Sequence, residues 1–108
     1  MTVSNIYSDI PKELPDELLE EIIQSSSFKL ERIISKGHST PKEKWYDQGK
    51  DEWVILLKGS AGLLIEGENE IVYLKPGDYI HLPAHLRHRV EWTAPGEETV
   101  WLALHYQA

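Results

Sequence analysis

Hydrophobic and polar residues alternate over most of this chain, in short segments separated by turn residues. Seven such segments predict β-strands at 28–35, 51–58, 62–66, 70–74, 79–82, 88–93 and 99–106. Glycine and proline mark the breaks between them, as at Pro76-Gly77 and Pro95-Gly96, because these residues suit the backbone angles of tight turns. Regularly spaced strands without intervening helices are typical of a sandwich or barrel. The pattern therefore predicts an all-β domain.

The first 27 residues have a different pattern. Apolar side chains at positions 14, 18, 19, 22 and 23 have the spacing of one face of a helix. Pro15 and the acidic Asp16 and Glu17 suit a first helical turn. This pattern predicts a short amphipathic α-helix over 14–23, within an N-terminal arm of residues 1–27, followed by a β-barrel over 28–108. The helix would cover one side of the barrel or contact a second copy.

Two of the predicted strands are apolar on both faces. They are Trp53–Leu57 and Val100–Leu104. A strand of this kind is buried on both sides, so one face fills the interior and the other meets the helix or another subunit. We therefore expect a homodimer.

Composition restricts the possible functions. The chain has 108 residues, enough for one domain. It contains no cysteine, which excludes disulfides, thiolate metal sites and cysteine nucleophiles. The net charge of −7 argues against nucleic-acid binding and anionic membranes, where a basic surface is expected. With no long apolar run and no signal-peptide pattern, a cytoplasmic location is the default expectation.

The segment Lys75–Val90 is the most informative part of the sequence. A Pro-Gly-Asp turn at 76–78 leads into a short strand that ends at Pro83, and the next strand begins at His88. Gly77, Pro83 and His88 have the spacing Gly, five residues, Pro, four residues, His. This segment resembles the second conserved motif of the cupin superfamily. His85 stands where that motif usually has a second glycine, and Trp92 where it usually has asparagine.

The region before Gly59 is similar to the first cupin motif, which contains His-x-His, then Glu, then Gly. Glu52 and Gly59 fit its end, while Tyr46 and Gln48 occupy the two histidine positions. The resemblance covers roughly residues 28 to 106. It implies a small single-domain cupin, which is a double-stranded β-helix or jelly-roll barrel with a pocket inside.

The cupin resemblance also implies a metal site. In cupins the glutamate and the later histidine point into the barrel and bind a divalent metal, which here implies Glu52 and His88, with Gln48 and Tyr46 as further ligands. Carboxylate and imidazole together suit Mn, Fe, Ni, Zn or Cu. Each of these residues also has an ordinary structural explanation, such as a backbone-bonded histidine for His88 and a solvated carboxylate for Glu52.

Three further histidines could replace the missing motif histidines. His81 lies in a strand, His85 lies in the loop at Pro83, and His105 alternates with Trp101 and Ala103. His105 could face the pocket or a dimer seam. A structural role is the alternative for each of them.

Aromatic and basic side chains suggest a class of ligand. Alternation from His88 and Val90 predicts that Trp92 lines the same interior, and Tyr46 lies in the first-motif loop. Such a pocket would suit an aromatic or sugar-like ligand stacked on the rings, although core packing explains the same residues. Arg87, in the loop before His88, could hold an anionic substrate or be a solvated surface residue. The expected substrate-binding residues are Trp92, Tyr46, His105 and Arg87.

Three hypotheses for function remain open at this stage. The first is a metal-binding cupin that acts on a small molecule, as an isomerase, lyase or dioxygenase. The second is a non-enzymatic module that binds or senses a sugar-like or aromatic molecule without a metal. The third is a structural role in which the two-sided apolar strands form the working surface.

Overall fold

A computed structural model describes residues 1–107 of the chain. Those residues form eight β-strands and no helix, and accordingly none of them lies in a helix that could cross a membrane. The strands are β1 Leu18–Gln24, β2 Phe28–Ser35, β3 Asp51–Lys58, β4 Ala61–Ile65, β5 Val72–Leu74, β6 Tyr79–Leu82, β7 His88–Thr93 and β8 Thr99–Tyr106.

The strands form two antiparallel sheets. The larger sheet has the order β1-β2-β8-β3-β6, and the smaller has the order β5-β4-β7. The core lies between them and consists of buried apolar side chains from both sheets, among them Val54, Leu56, Leu63, Trp101 and Ala103. This arrangement confirms the predicted all-β jelly-roll class. Strands β2, β3, β6, β7 and β8 have the predicted bounds, because glycine, proline and serine residues in the intervening turns separate them.

The predicted N-terminal helix is wrong. Residues 18–24 form β1, which pairs antiparallel with β2 and becomes an edge strand of the larger sheet. Glu21 is opposite Glu31 and Ile23 is opposite Leu30, so Ile22 has no partner and forms a β-bulge. An extra residue in a strand shifts its alternation by one. Apolar residues on either side of the bulge then have a spacing that looks helical.

A buried arginine connects β1 and the N-terminal arm to β2. Arg32 is only 7% exposed and donates through Nε to Glu20 Oε1 of β1 at 2.6 Å. Its Nη1 donates to the backbone carbonyls of Ile6 and Ser8, at 3.0 and 2.6 Å. A buried charge needs partners of this kind, so Arg32 orders the arm against the outer face of the larger sheet.

A second bulge determines the direction of Trp92. Leu63 of β4 is opposite Val90, whereas Gly62 is opposite Trp92, so Glu91 is the extra residue. The alternation reverses there, and Trp92 lies over Gly62 and beside Tyr73, at 5.6 Å between ring centroids. The prediction that Trp92 faces the interior with His88 and Val90 is therefore wrong. A bulge leaves no clear signal in a short strand sequence.

Substituting Gly62 tests this packing. A Cβ at Gly62 would lie 2.3 Å from Nε1 and 2.8 Å from Cε2 of Trp92, so the indole ring must move. We expect Gly62→Ala to lower the free energy of unfolding by about 1–3 kcal/mol, as overpacking does, measured by urea denaturation. Gly49→Ala is the matched control, because a Cβ there has no neighbour within 4 Å. Equal stability of the two variants would contradict the proposed close approach.

Candidate functional site

An open cavity of about 140 Å³ lies between the two sheets. Its walls combine apolar side chains with carboxylates, imidazoles, an amide and a phenol. The lining residues are Glu17, Leu19, Glu31, Ile33, Tyr46, Gln48, Glu52, Val54, Leu63, Leu82, His88, Val90, Trp101 and His105. All four residues predicted as metal ligands therefore line one cavity, together with His105 from the predicted substrate-binding set.

Glu52 and His88 face each other inside this cavity. His88 Nε2 is 3.7 Å from Glu52 Oε1, and the side chains are only 7% and 9% exposed. His88 Nδ1 is 2.9 Å from the carbonyl oxygen of Leu86. Since a carbonyl can only accept, Nδ1 carries the proton of the neutral ring, and Nε2 presents its lone pair to the cavity.

The first-motif loop is held against His88 by its backbone. Tyr46 N donates to His88 O at 2.7 Å, and His88 N donates to Tyr46 O at 3.2 Å. The two rings are stacked, with centroids 5.5 Å apart. The backbone carbonyl of Gln48 accepts from His85 N at 2.8 Å. These three backbone hydrogen bonds place the Tyr46 and Gln48 side chains at the cavity wall.

A second carboxylate–imidazole pair lies beside the first. His105 Nε2 is 2.8 Å from Glu31 Oε1 and 3.9 Å from Glu52 Oε2. Glu31 is 8% exposed, and the sequence reasoning missed it. The available signal was alternation, because Glu31 shares a strand face with Ile33 and Ser35, where a charged side chain is unusual.

Glu17 and Leu19 are two further cavity residues that the sequence reasoning missed. Ser35 Oγ donates to Glu17 Oε2 at 2.6 Å, and Trp101 Nε1 donates to Ser35 Oγ at 3.2 Å. This chain of hydrogen bonds connects the start of β1 to the cavity wall. The helix prediction concealed it, because only a strand in this position brings Leu19 opposite Ile33.

The cavity disfavours additional negative charge. Burial raises the pKa of the Glu52 carboxyl, and the carboxylate of Glu31 adds to the effect, against the lowering influence of His105 and His88. Burial also raises the pKa of the Tyr46 phenol, as do the carboxylates of Glu17 and Glu52. Both shifts follow from desolvation and like charge. The phenol of Tyr46 consequently stays protonated at neutral pH and can donate a hydrogen bond.

The other predicted residues lie outside the cavity. Arg87 Nη1 is 2.7 Å from Glu66 Oε2, and its guanidinium is 5.8 Å from the centroid of the Trp45 ring. Trp92 lies on the outer face of the smaller sheet, as described above. The structure therefore does not bring Arg87 or Trp92 together with Glu52 and His88.

Of the three alternative histidines, His105 reaches the cavity. His81 Nε2 contacts the Tyr106 hydroxyl at 3.1 Å and Asp51 Oδ2 at 3.4 Å, outside the cavity lining. His85 Nδ1 is 2.8 Å from Asp47 Oδ1, and its side chain is 73% exposed. Neither His81 nor His85 takes the place of a missing motif histidine.

The side chains in the cavity include donor atoms of the type that divalent metals prefer, but fewer of them than a metal site usually has. Across residues 1–107, no group of three or more His, Asp or Glu side chains is arranged to hold a metal ion. Glu52 and His88 supply two donors of suitable type, and His105 Nε2 is already directed at Glu31. Any further ligand from the motif positions would be the neutral amide of Gln48 or the phenol of Tyr46.

Comparisons with known proteins agree with this architecture. The crystal structure of a "putative mannose-6-phosphate isomerase" from Ralstonia eutropha JMP134 is 45% identical, with a TM-score of 0.95 and full coverage of both chains. An RmlC-like cupin with a double-stranded β-helix fold from Methanocaldococcus jannaschii is 13% identical, with a TM-score of 0.72 over 99% of this chain and 94% of that one. The second likeness shows the fold alone.

Sequence comparison adds a curated relative. Acireductone dioxygenase from Rhodopseudomonas palustris strain TIE-1 is 32% identical over 66 residues, which are 59% of this chain and 40% of the relative. The chain thus spans less than half the length of that protein. The family model for the cupin domain matches residues 31–105. Because this match covers most of the chain and includes both motif regions, the protein belongs to the cupin family.

Proposed function

We propose that this cupin binds a small molecule in the barrel cavity and holds a divalent metal ion there, one of Mn, Fe, Ni, Zn or Cu. The observation that carries the proposal is the buried pair of Glu52 and His88, whose side chains face each other at 3.7 Å. At 3.7 Å the His88 ring and the Glu52 carboxylate are too far apart to form a hydrogen bond with each other. Both therefore have capacity for a ligand between them.

The arrangement around His88 supports a ligand role. Its Nδ1 donates to the Leu86 carbonyl, and this outer contact fixes the tautomer that leaves Nε2 free, as in many metal-binding histidines. Its backbone is paired with Tyr46, so the ring is held in place. Glu52 is the second residue of β3, which lies between β8 and β6, and it is opposite Leu82 on one side and His105 on the other. Two rigid strands thus hold the two donors.

Glu52 and His88 would hold the ion, with Gln48 and Tyr46 beside it on the same cavity wall. Bound there, a divalent ion would polarise a carbonyl or hydroxyl oxygen of the small molecule as a Lewis acid. The neutral phenol of Tyr46 can donate a hydrogen bond to the same molecule. Apolar side chains such as Val54, Leu63 and Val90 also line the cavity and would pack against the apolar part of the small molecule.

The names of two relatives support a small-molecule function. One relative carries the name acireductone dioxygenase, and a structural relative is described as a "putative mannose-6-phosphate isomerase". Both names describe enzymes that act on small molecules. Since folds of this type support many activities, these names support an enzyme acting in the cavity without selecting the reaction.

A second candidate is a metal-free binding or sensing module. The contact between His105 and Glu31 at 2.8 Å favours this candidate. Because His105 Nε2 already bonds to Glu31, it is not free to serve as a third metal ligand beside Glu52 and His88. In this case Glu52 and His88 would bind the organic ligand directly. Metal analysis distinguishes the two candidates.

The first test is metal content by plasma mass spectrometry, on tag-free protein incubated with each of the five ions and then desalted. We expect near-stoichiometric uptake of at least one ion by the natural chain. His88→Ala and Glu52→Gln should lower the occupancy at least about tenfold, because even the loss of an outer-shell partner costs that much. His81→Ala is the control histidine outside the cavity. Metal-free protein after every incubation would overturn the metal proposal in favour of the second candidate.

The raised pKa of Glu52 predicts a pH dependence of stability. A carboxyl whose pKa is higher in the folded state favours folding only while it is protonated, so its contribution is lost as pH rises from about 4.5 through the folded-state pKa. In chelator, we expect the natural chain to lose stability relative to Glu52→Gln as the pH rises above about 4.5, measured by urea denaturation. If the difference in unfolding free energy between the two proteins did not change with pH, the raised pKa of Glu52 would be contradicted. Glu97→Gln is the control for the loss of a surface charge.

We also propose that the chain forms a homodimer through the outer face of the larger sheet. No helix among residues 1–107 covers that face, and half-buried apolar side chains remain there. Trp53 is opposite Leu104 and Ile55 is opposite Leu102, with Tyr79 beyond Ile55 and 66% exposed. An apolar surface of this kind marks an interaction site.

Light scattering after size-exclusion chromatography tests the homodimer. We expect twice the chain mass for the natural protein and the chain mass for Ile55→Lys, because a charge in the centre of an apolar interface is strongly unfavourable. Val3→Lys, at a position 94% exposed, is the control and should remain dimeric. A monomeric natural chain at micromolar concentration would overturn this proposal.

A further inference from the structure

The charge of the cavity lining restricts what can bind there. Its lining includes the carboxylates of Glu17, Glu31 and Glu52 and, within residues 1–107, no lysine or arginine. A phosphate or carboxylate group in a partly desolvated cavity would face these carboxylates at low dielectric, where like-charge repulsion is strong. Anion-binding sites usually supply arginine, lysine or a helix N-terminus instead.

The basic residues around the cavity already have acidic or carbonyl partners. Arg32 donates to Glu20 and the N-terminal arm on the outer face. Arg87 contacts Glu66, and Arg89 donates to the Thr40 carbonyl at 3.2 Å. Lys29 is nearest, with its Nζ 3.6 Å from Glu31 Oε2, but it is not part of the lining. It partly neutralises Glu31 and leaves no positive excess.

The inner polar groups have capacity to accept hydrogen bonds. The Nε2 atom of His88 presents a lone pair, and its nearest charged neighbour, Glu52, is beyond hydrogen-bond distance at 3.7 Å. The second Glu52 oxygen is 3.9 Å from His105. The side chains of His88 and Glu52 are both more than nine-tenths buried. Buried acceptors of this kind need donors, and a ligand carrying hydroxyl or ammonium groups supplies them.

The size of the cavity points to a ligand of only a few heavy atoms. Its volume of about 140 Å³ is below the range of roughly 300–1,000 Å³ found for drug-sized ligands. A small molecule without a negative charge satisfies volume, charge and hydrogen bonding together.

We propose that the cavity selects small, uncharged or cationic hydrogen-bond donors, such as polyols or amino alcohols, and excludes phosphorylated and carboxylated molecules. This inference rests on the proposed function, because it assigns a ligand class to the same cavity. The same selectivity is expected when a divalent ion is bound, because the carboxylates of Glu17, Glu31 and Glu52 offset the two positive charges of the ion. Arg87, the sequence candidate for holding an anion, does not contribute, because it contacts Glu66 outside the cavity.

Fluorescence quenching of Trp101 tests the charge selectivity directly. Trp101 lines the cavity and is 4% exposed, so a quencher reaches it mainly through that opening. The probes are caesium, acrylamide and iodide, which are cationic, neutral and anionic. They are applied at pH 8 to a variant with Trp101 as its single tryptophan (Trp45→Phe, Trp53→Phe, Trp92→Phe). Each quenching constant is divided by the value for N-acetyltryptophanamide.

We expect the normalised constant for iodide to be at least about threefold below that for caesium, as one net negative charge at a distance of several Å predicts. Glu17→Gln and Glu31→Gln, which keep the side-chain size, should each raise iodide quenching. Glu97→Gln, exposed and outside the cavity, should leave it unchanged. If the single-tryptophan variant does not fold, the difference between the natural chain and Trp101→Phe gives the same constants.

Two results would overturn the inference, and they are distinguishable. Iodide quenching equal to or stronger than caesium quenching would overturn the charge selectivity while leaving an accessible cavity for the proposed function. Failure of all three probes to quench Trp101 would show a closed interior and would overturn both the selectivity and the proposed function.

Discussion

The burial of carboxylates beside imidazoles is the constraint on which the rest of this site depends. Glu31 and Glu52 are each less than a tenth exposed, and an unpaired carboxylate at that depth would cost several kcal/mol. His105 and His88 offset part of this cost, while burial raises the pKa of the Glu52 carboxyl. A barrel that buries carboxylates in place of leucine or valine has a lower free energy of unfolding, and such destabilising groups are typical of functional sites.

The central position of β8 is what brings these groups together. β8 pairs with β2 on one side and β3 on the other, so His105 is directly opposite Glu52 and diagonal to Glu31. A shift of one residue in either register would turn these side chains to the outer face. The apolar residues of β8 and β3 secure the register, because Ala103 and Val54 are opposite each other in the core. Packing of the core thus fixes the geometry of the polar site.

Most of the fold and part of the site could be predicted from the sequence. Short apolar-rich segments and the turn residues between them defined β2, β3, β6, β7 and β8. The motif spacing indicated Glu52 and His88, and both line the cavity. The misassigned helix and the misplaced Trp92 come from the two bulges, at Ile22 and Glu91, since one extra residue changes the face of everything beyond it. Glu31 left a signal in its alternation with Ile33 and Ser35, but its contact with His105 follows from the pairing of β2 with β8. Glu17 accepts a hydrogen bond from Ser35, a long-range contact that its local sequence does not indicate. The homodimer and the ligand class stay predictions.

In the diverged first motif, the backbone determines where the side chains of Tyr46 and Gln48 lie, and the residue types determine which groups they present to the cavity. Tyr46 and Gln48 line the cavity where the cupin resemblance places histidines, and the backbone pairing of Tyr46 with His88 would hold any residue there. Replacing two imidazoles by a protonated phenol and an amide removes strong donors and leaves hydrogen-bonding groups. The same replacement adds no positive charge beside Glu17, Glu31 and Glu52. The fold therefore fixes these two positions independently of the side chains they carry, and a phenol with an amide is a weaker set of metal donors than two imidazoles.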